Sequence, residues 1–177
     1  MENNKPIVKF LITLLVLYVF WFIAYETWIS PAEFIDGAIN INVLEIAKNI
    51  LLLTGYEADY YGRYIYIGRD VGVYLGDPCN GLSLFALFAI FIIAYPGKWL
   101  LKVPFIFIGI FLIHLLNGLR VASLCWVQMW NAEYLDFNHT YTFTILVYGF
   151  IFGLWMLWVN KFGVSFKKIE EVKEKEI

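Results

Sequence analysis

The stretch DPCNGLSLFALFAIFIIAY, residues 77–95, joins a helix-start signal, a thiol and a long apolar run. Asp is a favoured N-cap and Pro is favoured at the first helical position, so the pattern predicts a helix opening at Asp77-Pro78. From Pro78 to Tyr95 no charge interrupts the run, and a spanning helix needs about 20 apolar residues. Working outward, runs of the same kind lie at about Ile7–Ile29, Val103–Trp130 and His139–Val159. The expected fold class is an all-α integral membrane protein, a four-transmembrane-helix bundle. Its spans are at about 7–29, 78–95, 103–130 and 139–159, in a single membrane domain over residues 1–177.

Composition agrees with that class. The 177 residues are 61% hydrophobic, 20% aromatic and only 16% charged, well above a soluble domain's apolar share. The partner expected from this is the lipid bilayer; no nucleic-acid partner is expected. Lys5 and Lys9 precede the first run as they would in a secretion signal. Its apolar part is near 20 residues, longer than the roughly 7–15 of a signal core, and no small-x-small site follows. An uncleaved membrane anchor is expected.

Charge distribution orients the bundle. With the N-terminus inside, the inner face receives Lys5, Lys9, Lys98, Lys102, Lys161, Lys167, Lys168, Lys173 and Lys175. The outer face receives Lys48, Arg63 and Arg69, and Arg120 stays in or near the membrane. That bias satisfies the positive-inside rule. Both termini are expected in the cytoplasm, with a tail over 160–177, and the segment 30–77 is expected outside the plasma membrane.

Within that outer segment, Ile35, Ile39, Val43, Ile46, Ile50 and Leu53 recur every three or four residues, with Asp36, Asn40, Glu45 and Asn49 on other faces. This is an amphipathic helix, expected along the outer surface or across the bundle mouth. The runs Arg63–Ile67 and Val71–Leu75, separated by Gly68-Arg69-Asp70, predict a small β-hairpin beside the second span.

Three polar residues fall at the ends of different spans. Cys79, in the first turn of its predicted helix, would meet free N–H groups and the positive end of the helix dipole, which favour negative charge. Thiolates are the reactive form of cysteine. The competing reading is a small buried residue packed beneath the hairpin. Arg120 lies about 26 Å along the third span, near the outer edge of the roughly 30 Å hydrocarbon layer. Asn117, one turn earlier, gives it a polar stripe that favours the bundle interior over snorkelling. His139 opens the fourth span, where a helix N-terminus disfavours the imidazolium and leaves a neutral base. The other histidine, His114, lies about 9 Å deeper and reads as a buried helix residue and reserve base. Cys125 is about 140° around its helix from Arg120 and ranks below Cys79 as a nucleophile. Two cysteines without a C-x-x-C pair argue against a dithiol relay or cysteine-paired zinc site, and no metal or cofactor is expected.

Pro78-Cys79-Asn80-Gly81-Leu82 at one helix start, Asn117-Gly118-Leu119-Arg120 on the next helix and His139 at the last resemble the exosortase/archaeosortase family of membrane cysteine transpeptidases, in a small, core-only form. The resemblance covers roughly residues 50–160. Its trio is Cys, Arg and His, with Arg replacing His in archaeal members. It implies Cys79 as nucleophile, Arg120 as electrostatic partner and His139 as acid/base group, with Tyr74, Asn80, Gly81 and Asn117 as substrate contacts. It further implies substrates that are membrane-anchored exported proteins with a C-terminal sorting signal, cleaved at the outer face of the plasma membrane. One departure is Cys79-Asn80-Gly81 where the family usually has Cys-Ser-Gly. Two other functions compete: an accessory membrane protein with a structural Cys79–Cys125 disulfide, and a carrier or haem protein using His114, His139 and Arg120.

Overall fold

The computed structural model describes residues 5–68, 71–76 and 79–166. Three sequence-read features therefore lie outside the described residues: Arg69-Asp70 of the hairpin turn, the Asp77-Pro78 helix start and the tail beyond Phe166.

Helix α1 spans Lys5–Ala24, continues through a π-helical turn at Tyr25–Ile29 and ends in α2, Ser30–Ala32. This 28-residue rod is apolar enough to cross a membrane, and none of α1 is buried by protein. Glu33, at φ 52°, sits in the left-handed region and breaks the rod before α3, Phe34–Leu53.

The face of α3 differs from the one its apolar spacing predicts. The buried stripe is Asp36, Asn40, Val43, Leu44, Ala47 and Leu51, while Ile35, Ile41, Leu52 and Leu53 are exposed. The helix is rotated so that two polar residues point into the protein. It packs principally on α5, Trp99–Trp130. Gly118 permits the close approach, since a Cβ there would collide with Ile46.

The predicted hairpin is the second half of a three-stranded antiparallel sheet, β1 Ala58–Tyr61, β2 Tyr64–Ile67 and β3 Val71–Tyr74, in the order β1-β2-β3. The extra strand, Ala58-Asp59-Tyr60-Tyr61, lacks apolar alternation. It is paired because Gly62, at φ 59°, allows a two-residue turn that sets Tyr61 opposite Tyr64. Ile65, Ile67 and Val73 face inward, and Tyr64 stacks beside Tyr66 and Tyr74 on the other face.

The second predicted span is shorter than its apolar run. Helix α4 covers Leu82–Ala94, 13 residues, or about 20 Å. Gly81 precedes it at φ 91°, a conformation that ends helical continuity upstream. Three helices are long and apolar enough to cross a bilayer: Lys5–Ala32, Trp99–Trp130 and Ala132–Lys161. A fourth crossing is not supported by α4's length. By contrast α5 has 32 residues, about 48 Å, and extends well past the layer it could span. Its final neighbour is one helical run, a 3-10 turn at Ala132–Tyr134, α6 Leu135–Phe137, a π-helical turn at Asn138–Thr142 and α7 Phe143–Lys161.

Two cores divide the bundle along α5. Beyond Asn117, Val121, Ala122, Leu124 and Cys125 pack with Val43, Leu44, Ala47 and Leu51 of α3 and the inner face of the sheet. Toward Trp99, an aromatic core joins Phe88, Ile92, Tyr95, Ile113, Val147, Ile151 and Trp158. Phe10 of α1 adds edge contacts to Phe91 and Tyr95 at 5.7 and 5.6 Å. Lys102, itself buried, donates to the Ile93 carbonyl at 2.7 Å and so satisfies one open acceptor in the last turn of α4.

Candidate active site

Cys79 lies in the turn before α4, not in the helix's first turn, and its N–H donates to the Gly76 carbonyl at 2.9 Å. The half-buried thiol is 3.1 Å from His139 Nε2. His139 is likewise not at a helix start: it stands in the π-helical turn inside the continuous run from Ala132. Such turns widen a helix by one residue and recur at functional sites. Here the widening replaces the helix-end argument as the device that sets the imidazole. Thr144 Oγ1 donates to the His139 carbonyl at 3.3 Å.

The third member comes from α5. Arg120 is half-buried and close enough for its charge, with that of Asp136, to act on the imidazole. Its Nε is buried and has no hydrogen-bond partner among the described residues. One turn earlier, the fully buried Asn117 donates from Nδ2 to the Cys79 carbonyl at 2.9 Å, leaving its Oδ1 without a partner among the described residues. A buried donor and a buried acceptor thus stand open about one turn apart on α5.

Gly81 closes the turn against Asn117, whose Nδ2 would be 3.2 Å from a Cβ at that position. Asn80 points inward: its Oδ1 accepts from the Leu82 N–H at 2.9 Å, and its Nδ2 donates to Asp36 Oδ1. Asp36 Oδ2 also accepts from the Tyr25 hydroxyl at 3.3 Å. Tyr74 lies on the exposed face of the sheet, 53% accessible, five residues before the thiol.

Asp36 and Tyr25 were not among the residues expected at this site. The signal existed in the sequence: Asp36 and Asn40 are one turn apart with Val43 and Ala47 continuing the stripe. In a membrane protein, a polar pair on a helix is as apt to point inward as outward.

Other expected residues lie elsewhere. Cys125 is fully buried in the α3–α5 core, and both cysteines are free thiols, so no Cys79–Cys125 disulfide is formed. His114 packs edge-on against Phe85, 5.7 Å between centroids, on a lateral groove that also holds Ile39, Asn42 and Phe107. Among the described residues no group of three His, Cys, Asp or Glu side chains converges as a metal site would require.

The model of the transmembrane exosortase family matches residues 5–160. This chain belongs to the transmembrane exosortase family. No curated protein and no solved structure matches it. At the level of the family, the exosortase is a multi-pass membrane protein of the transpeptidase or protease kind. Its family acts on exported proteins that carry C-terminal sorting signals.

Proposed function

We propose that this exosortase cleaves the C-terminal sorting signal of membrane-anchored exported proteins by cysteine catalysis, with Cys79 as nucleophile, His139 as acid/base group and Arg120 as electrostatic partner. The observation that carries the reading is the 3.1 Å approach of Cys79 Sγ to His139 Nε2, two groups 60 residues apart in the chain. It is a nucleophile and a base within hydrogen-bond reach.

In the proposed reaction the thiol proton passes to His139 Nε2 and the sulfur attacks the scissile carbonyl carbon. The carbonyl π pair moves to oxygen, and the open Nε–H of Arg120 is the donor nearest in kind to what that oxyanion needs. The intermediate collapses as the C–N bond breaks, and His139 returns its proton to the leaving amine. This leaves a thioacyl-enzyme. An incoming amine or water attacks next, gives its proton to His139 and releases the acyl group as Sγ recovers a proton.

The expected substrate contacts divide by burial. Asn80, Gly81 and Asn117 are buried and hold the nucleophile turn, whereas the exposed Tyr74 is the position left to meet a substrate. An extended cleavage motif adding to the free edge of β3 would run directly toward Cys79. Deletion of Gly68–Asp70 tests this: intact cleavage by the shortened sheet rejects strand addition.

The proposed topology keeps both termini in the cytoplasm and the thiol at the outer face; it requires the short α4, with the turns on either side of it, to carry the chain back across the layer between α1 and α5. Asn117 lies 18 residues, about 27 Å, along α5 from Trp99, which is close to one hydrocarbon thickness. The rest of α5 would then stand outside the layer with α3 and the sheet.

The deciding experiment follows processing of a membrane-tethered candidate substrate in cells carrying wild type, Cys79→Ala or Cys125→Ala at equal protein levels. Loss in Cys79→Ala alone is the expected result. Unchanged processing in that variant rejects the nucleophile.

A further inference from the structure

We propose that Asp36, contributed by α3, is a positioning residue that fixes the nucleophile turn through Asn80 and thereby sets the Cys79–His139 pair. The inference deepens the catalytic reading above and rests on it for its consequence in turnover, though not for its geometry.

Asp36 and Asn80 are 2% and 1% exposed, so neither side chain is placed to touch a substrate. Burying a carboxyl group is costly unless its oxygens are hydrogen-bonded, and an apolar residue of similar size would pack there at lower cost. Both oxygens of Asp36 are bonded, one by Asn80 Nδ2 and the other by Tyr25 Oη. Asn80 in turn holds the Leu82 N–H, the first free donor of α4.

The bonds converge on one peptide unit. The Cys79–Asn80 peptide is held on its carbonyl side by Asn117 Nδ2, and the residue that follows is held by Asp36 and the start of α4. The Cys79 N–H is tied to Gly76. With the backbone pinned on both sides, the thiol retains only its own χ1 rotation, and a single rotamer can face His139. Removing Asp36 frees Asn80, and with it Gly81, whose left-handed conformation needs no side-chain restraint of its own. The turn then samples orientations in which Sγ and Nε2 are apart.

Asp36→Ala removes the carboxyl group, Asn80→Ala cuts the same link from the other end, and Asp36→Asn keeps an oxygen to accept from Asn80 and an amide to meet Tyr25 Oη. These three variants are made in the full chain in membranes with Cys125→Ala, leaving Cys79 as the lone thiol. The first readout is the rate of Cys79 alkylation by iodoacetamide, with and without His139→Gln. It needs no substrate, so it remains legible even if Cys79→Ala proves to process normally and the catalytic reading falls. The second readout is kcat and KM for substrate processing.

Expected are slower alkylation in Asp36→Ala and Asn80→Ala, little further slowing when His139→Gln is added to either, and a double Asp36/Asn80 variant no slower than the singles. Turnover should fall on the order of tenfold to 100-fold with KM little changed, the usual cost of a displaced reacting group. Asp36→Asn should recover most of both rates. Wild-type alkylation with full His139 dependence in Asn80→Ala overturns the proposal, and that variant decides the matter even where Asp36→Ala fails to fold. So does equal loss in a folded Asp36→Asn, or a change confined to KM.

Discussion

The two halves of α5 solve different problems with the same helix. From Trp99 to Leu116 its neighbours are rings and branched aliphatics, with Phe88, Trp158 and Tyr95 filling the space between helices. From Asn117 to Trp130 it packs on α3 and the sheet, and its own Asn117 and the Asp36 carboxyl group of α3 bond to one turn. The aromatic half is held by non-directional contact, which tolerates small displacements of any one partner. The site half adds to its own apolar core hydrogen bonds of fixed length and direction, which do not. Damage to the first should therefore appear as lost stability and damage to the second as lost rate.

Substituting the proposed acid/base group should separate the halves most widely. His139→Gln is expected to lower processing by about 10²- to 10⁴-fold at unchanged melting temperature, and Arg120→Gln by on the order of 100-fold. Trp158→Phe, in the aromatic half, should lower the melting temperature in detergent and leave kcat in place. Comparable rate losses at all three positions would dissolve the distinction.

A glycine pair makes the comparison at matched chemistry. A Cβ at Gly109 would strike the Phe88 ring, and one at Gly118 would strike Ile46. Each Ala substitution should cost about 1–3 kcal/mol from overpacking, measured by chemical or thermal unfolding. Only Gly118→Ala should also reduce turnover, because it pushes away the helix that carries Asp36. If Gly109→Ala reduces kcat as strongly, strain crosses between the cores and the halves are not independent.

Lys102→Met should have a smaller effect. It leaves the Ile93 carbonyl without its 2.7 Å donor, at a cost of about 1 kcal/mol, and activity should not change. Smallest is the exposed Lys48–Asp59 ion pair at 2.9 Å, which ties α3 to β1. Lys48 holds the Asp59 carboxyl below its ordinary value of 3.8. A carboxyl depressed in the folded state stabilises it above that ordinary value, and the contribution is lost as pH falls through the folded one. The slight melting difference between wild type and Asp59→Asn should therefore close below about pH 4 and be present at neutral pH. A difference that grows on acidification would assign Asp59 another partner.

How much of this could be read beforehand follows from which signals are local. The apolar runs marked α1, α5 and the last helix, because hydropathy depends on composition alone. Cys79, Arg120 and His139 were visible because each interrupts or borders such a run. Their devices were not. The turn of α4 was expected at Asp77-Pro78, but Gly81 adopts φ 91° and delays the helix to Leu82. The His139 position was read as a helix start, yet the helix begins at Ala132 and is widened around the imidazole. Strand β1 carries no alternation of its own and exists through its pairing with β2.

Helix α3 shows where local reading stops. Its period was legible, but its phase was taken from water-soluble logic, with apolar residues in and polar residues out. The phase is set instead by what the helix packs against, α5 on one side and the Asn80 turn that Asp36 bonds. Sequence alone determined that this chain enters the membrane and which polar residues are conspicuous there, since the transfer cost of each residue is intrinsic to it. Only the tertiary structure decided that Asp36 reaches Asn80 and that Cys79 meets His139 at 3.1 Å. Those contacts join residues 44 and 60 positions apart, and their direction depends on how whole helices rotate against one another.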